Sequence, residues 1–180
     1  MDFDLQPQEI STTWIENLAL EELNMEESGV IHFADNFSPV HHLEEASIEF
    51  MDNLRDRFEI YITKFNEFRG NNSAGDQVRV FKISNTINDF MVYRNSLRLI
   101  VARKANDLIS IGFLSSSGEV FSPKISAGRS AVVENSKVPL EIMAHLGPFN
   151  KITWRFMGEV VEQESLVKYC LSEFIRSSAR

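Results

Sequence analysis

Apolar positions spaced three or four residues apart run from Leu43 through Ala46, Phe50, Leu54, Phe58, Tyr61 and Phe65 to Phe68. That spacing puts them along one helical face and predicts a single long helix over Ser38 to Arg69. Ser38 suits the N-cap, Pro39 the first helical position, and Gly70 the left-handed residue that ends a helix. Glu44, Glu45, Glu49 and Asp52 precede Arg55, Arg57, Lys64 and Arg69, the order the helix dipole favours. At the usual rise per residue the helix would be about 45 Å long, enough to span a sheet or a subunit contact. A competing reading takes Phe58 to Phe65, rich in aromatic and β-branched residues, as a strand after a shorter helix.

Alternation takes over after the polar run Gly70 to Asp76. Gln77 to Ile83 reads as a strand, and so does Leu108 to Leu114, where Ile109, Ile111 and Phe113 point one way. Asp89 to Arg103 fits two patterns. One is a hairpin turning at Asn95-Ser96 with Leu97, Leu99 and Val101 inward; the other is a helix built on Ile87, Phe90, Leu97 and Val101. The hairpin is preferred, because the helix would set Arg94 and Arg98 in the middle of its apolar face. Glu119 to Ser122 reads as a short strand and Pro123 to Lys137 as an irregular connection.

Leu140 to Leu146 and Ile152 to Phe156 alternate again around a hairpin at Gly147 to Asn150, and Gln163 to Ser177 is a closing amphipathic helix. Ahead of all this, Trp14, Ile15, Leu18 and Leu23 suggest a short helix after Ser11 or Thr12, and Val30, Ile31 and Phe33 are expected to pin the connection that follows against the body. The order predicts an α+β fold: a long helix on a mainly antiparallel meander sheet, closed by a C-terminal helix. Residues 38–180 form one domain in this reading and residues 1–37 an acidic leader or docking arm. No internal repeat or low-complexity segment is evident.

Charge sharpens that division. The 180-residue chain carries a net −8, yet residues 1–54 hold 13 acids and no Lys or Arg, while residues 55–180 hold the other 13 acids and all 18 bases, or +5. An acidic arm rich in Trp and Leu is expected to dock on a basic surface of its own chain, of a second copy, or of another protein. The lone Cys170, among Leu166, Leu171 and Phe174, reads as a buried thiol in a reducing compartment. The apolar runs are too short for a membrane span and the start lacks a signal-peptide pattern, so a cytoplasmic location is expected.

Chemical motifs are sparse. The sequence shows no phosphate-cradling glycine loop, no cysteine pair for a metal and no Gly-x-Ser-x-Gly turn. His41, His42 and Glu45 share helical spacing but supply too few ligands for a metal, and His145 is placed outward on its strand without an acid partner. Arg79, Lys82, Arg94, Arg98, Arg103 and Lys104 interleave with Phe81, Phe90 and Tyr93. Such a mixture suits anions or stacked bases, although the net acidity opposes nucleic-acid binding.

The sequence therefore points to a non-enzymatic interaction module, an adaptor, chaperone-like or regulatory protein acting as a homodimer without cofactor or metal. Trp14 and Leu18 are its expected arm anchors, and Arg94 with Arg98 the receiving cations. The other expectation is a pocket for a small molecule or anion between the long helix and the sheet.

Overall fold

The computed structural model describes residues 10–29, 38–70, 76–121, 126–127, 131–132 and 138–179. The expected contacts of Val30, Ile31 and Phe33 and most of the Pro123 to Lys137 connection lie outside them. The chain divides into two compact units, residues 1–38 and 39–180.

In the first unit, helix α1 spans Thr13–Ser28, with Thr12 at its N-cap and Gly29 closing it in the left-handed region. Thr12, one of the two residues from which a helix was expected, takes the cap. Leu23 stands nine residues from Trp14, half a rotation away at 100° per residue, and so falls across the helix. Met25 joins the Trp14 and Leu18 stripe instead.

In the second unit, helix α2 spans Pro39–Arg69 without interruption, and the Phe58 to Phe65 stretch is helical. The meander follows as β1 (Arg79–Lys82), β2 (Phe90–Arg94), β3 (Leu97–Ala105) and β4 (Leu108–Leu114). Beyond it come β5 (Val120–Phe121), β6 (Ser126–Ala127), β7 (Ala131–Val132), β8 (Leu140–Leu146), β9 (Ile152–Phe156), β10 (Glu159–Val160) and helix α3 (Gln163–Ser178). The main sheet runs β1-β2-β3-β4-β8-β9-β10 with β5 also on β4, every pairing antiparallel, and β6 pairs with β7 apart from it. The fold is α+β, helix before sheet and helix after. Among the described residues no helix is long and apolar enough to cross a membrane.

Turn chemistry explains the register. Asn95 and Ser96 both have positive φ, 48° and 67°, the two-residue turn whose twist matches its flanking strands. The β2–β3 hairpin therefore wins over the helix, and Leu97, Leu99 and Val101 point into the core. Inward residues of the sheet meet both helices on one face. Phe58 of α2 packs edge-on against Phe90 of β2 at 5.7 Å, Phe50 tilts on Trp154 of β9 at 4.6 Å, and Phe174 of α3 reaches Phe113 of β4 at 6.2 Å. Each such fully buried aromatic contributes about 2–3 kcal/mol of transfer free energy.

The α2 stripe differs from the one its spacing suggests. Met51 and Ile62 are buried with Phe50, Leu54 and Phe58, whereas Phe68 is 88% exposed. A stripe on a 31-residue helix is wider than a single track of threes and fours, and the last buried residue of α2 is Ile62, short of Phe68.

Polar clamps fix α2 to the rest. Asn66 both donates to Val78 O at 2.9 Å and accepts from Val78 N at 3.1 Å, pairing like a strand residue. Asn88 donates to Ile48 O at 2.9 Å, and Arg103 donates to Ser47 Oγ at 3.1 Å. Glu164 on α3 receives Arg57 at 2.7 Å and the Tyr61 hydroxyl, both from α2.

Candidate functional site

The hairpin decides where the basic cluster goes. Alternation along β2 places Phe90, Val92 and Arg94 inward, and the turn then returns Leu97 inward and Arg98 outward. Arg94 and Arg98 would share a face only on one continuous strand, so in this hairpin they lie on opposite faces.

Arg94 is only 3% exposed. Its Nε donates to Asp76 O at 3.0 Å and its Nη1 to Ile175 O at 3.4 Å, while the guanidinium sits 5.7 Å from the centre of the Phe65 ring. Burial, followed by repulsion from Arg69, lowers its pKa, with Asp76 acting against both. The side chain thus ties β2 to the end of α3 and to the segment before β1. Arg103 is likewise turned inward, onto Ser47 and Asn106.

The opposite face keeps a different set. Arg79, Tyr93 and Arg98 are direct neighbours across β1, β2 and β3, and Arg98 in turn faces Leu114 of β4. One step along, Phe81, Met91 and Ile100 form the next cross-strand row. Lys104, at the register shift between Arg103 and Ala105, is exposed, and among the described residues Arg98 has no ion pair. On this face cations are interleaved with half-exposed apolar side chains. The sequence supplied the residue types; the division between faces came only with the turn.

Helix α1 is also exposed and apolar. None of the 16 residues of α1 is buried; Trp14 is 67% and Leu18 52% exposed, and its charges are Glu16, Glu21, Glu22, Glu26 and Glu27.

A third feature lies between α2 and β9. His42, Glu45, Glu49 and Asn53 occupy one flank of α2, Asn150 comes from the β8–β9 turn and Gln163 from the start of α3. Together with Ile152 and the Phe50–Trp154 pair they enclose a cavity of about 430 Å³. His42 Nε2 is buried without a hydrogen-bond partner. In the turn, Phe149 and Asn150 both have φ of 58°, and Phe149 is fully exposed.

His41 points elsewhere, to Glu45 at 3.2 Å. Among the described residues no group of three or more His, Cys, Asp or Glu is placed to hold a metal. His145 stands on the outward, exposed side of β8 as its alternation suggested. Cys170 is fully buried, and burial, with a smaller contribution from Glu173, pushes its thiol up to about 12, so it is neither ionised nor reachable at neutral pH.

The sequence offered a pocket between the long helix and the sheet only as an alternative and named no lining for it, because the lining comes from two segments about 100 residues apart. No protein-family model, curated protein or solved structure matches the chain, and its function is read from the residues just described.

Proposed function

We propose that this protein is a non-enzymatic interaction module of the cytoplasm, an adaptor or regulator that works as a homodimer through its acidic arm. The carrying observation is α1, a helix with an exposed Trp14 and Leu18 stripe, only acidic charges and no buried residue. A 16-residue helix gains little stability alone in water, so such a stripe seeks a partner surface. Two acidic helices repel each other, and the surface that receives α1 is therefore basic as well as apolar.

A second copy of the chain offers that chemistry on the outward sheet face, where Arg98 flanks Tyr93 beside the Phe81, Met91 and Ile100 row. Arg98 keeps the receiving role expected of it. Arg94, whose donors are engaged within the fold, serves structure instead. The lone buried Cys170 supports a reducing compartment.

Replacing the exposed Arg98 by Glu tests the electrostatic half. At low salt the R98E dimer should dissociate about tenfold or more readily than wild type, and the difference should shrink as salt screens it. An R98E chain that associates as tightly as wild type at low salt would remove the outward face from the interface.

A further inference from the structure

The cavity between α2 and β9 combines three properties that seldom coincide on a solvated helix flank. First, the charged groups in its polar lining are the carboxylates Glu45 and Glu49. Glu49 is acceptor-only when ionised, Asn53, Asn150 and Gln163 each bring an amide oxygen, and no Lys or Arg lines the cavity. Among the described residues Glu49 has no ion pair and the three amide side chains have no hydrogen bond, so their capacity is uncommitted. Second, the floor is aromatic, where Trp154 packs against Phe50. An aromatic ring beside a carboxylate attracts cations through both charge and quadrupole. Third, His42 Nε2 is buried with nothing bonded to it. In a neutral ring with the proton on Nδ1 that nitrogen is an acceptor the fold leaves unsatisfied.

We infer that this groove is a binding site for a small organic cation bearing several N–H donors, an alkyl amine or a guanidine. The cavity of about 430 Å³ is the size of a small-ligand pocket. The ammonium or guanidinium would meet Glu49 and the amide oxygens over Trp154. The inference is independent of the dimer and concerns other residues.

Agmatine, which carries a guanidinium and an ammonium, is the probe. Calorimetric titration of the full chain should show saturable one-to-one binding with a dissociation constant of about 1 mM or below, and Glu49→Gln should weaken it about tenfold or more. Glu49 is exposed, so the variant should keep the wild-type circular dichroism and melting temperature. In a Trp14→Phe chain, where Trp154 is the remaining tryptophan, agmatine should also shift the emission.

A blocked tripeptide with a central arginine separates two sources of the same chemistry. Binding of agmatine alone supports a free small molecule, and binding of both supports a basic side chain of a partner. Absence of saturable heat up to about 10 mM agmatine, equal affinity in E49Q, or equal binding of the neutral polyol sorbitol would each overturn the inference.

Discussion

Arg94→Met is the substitution whose outcome separates folding from partner binding. The methionine keeps most of the aliphatic stem and removes the charged head. Lost with it are a 3.0 Å hydrogen bond to Asp76 O, a longer 3.4 Å one to Ile175 O, and a cation over Phe65. Hydrogen bonds from a charged donor are worth about 1.5–3 kcal/mol when well formed, the long one at the bottom of that range or below. The ring contact adds about 1 kcal/mol. Relief of the buried charge offsets part of this, since the desolvation that lowers the Arg94 pKa is removed with it.

The net loss is about 2 kcal/mol, which for a chain of this length lowers the melting temperature by about 4–8 °C. Thermal and urea unfolding followed by circular dichroism measure it, and sedimentation of the same samples reports association. R94M should show lower stability with an unchanged dimer constant. An R94M protein that melts within about 1 °C of wild type but associates more weakly would refute it and return Arg94 to the interface.

Two further substitutions test the local chemistry. Ser96→Gly should stabilise the chain by about 0.5–1 kcal/mol, because Ser96 holds φ of 67° in a two-residue turn that prefers Asn-Gly; a lower urea midpoint would contradict that turn. Glu164→Gln should destabilise in a pH-dependent way. The hydrogen bond from Tyr61, then that from Lys168, lowers the Glu164 pKa below its ordinary 4.5, so its stabilisation is complete above that value and lost as pH falls through the folded-state pKa. Wild type and E164Q should differ at pH 7 and converge as the Glu164 carboxylate is protonated in acid, and a gap that does not narrow as pH falls would show that charge is not the cause.

What the sequence made legible was whatever a short period or a turn residue encodes. The α2 helix was visible because Phe50, Leu54 and Phe58 keep helical spacing, and Leu140, Ile142 and Ala144 announced β8 by alternation. Met51 escaped because it sits beside Phe50, off the track of threes and fours, yet on a wide helical stripe both are inward. The inward position of Arg94 was latent in the alternation of Phe90 and Val92, but charge argued for solvent; three nearby groups from other segments overrule that preference. The groove lay beyond any local pattern. His42 to Asn53 look like a solvated flank until β9 and the start of α3 arrive from residues 150–163.

In the proposed dimer each chain associates through its α1 arm. Sedimentation velocity of the full-length protein over a wide concentration range, beside a Trp14→Ala, Leu18→Ala double variant, tests it most directly. Each anchor buries about 1.5–3 kcal/mol of apolar surface when docked, so the double loss should raise the dimer dissociation constant by about a hundredfold or more. Wild type should sediment as a species of twice the 20.6 kDa chain mass, and the variant should be monomeric at the same concentration. A wild type that stays monomeric throughout, or a variant that dimerises as tightly as wild type, would contradict it.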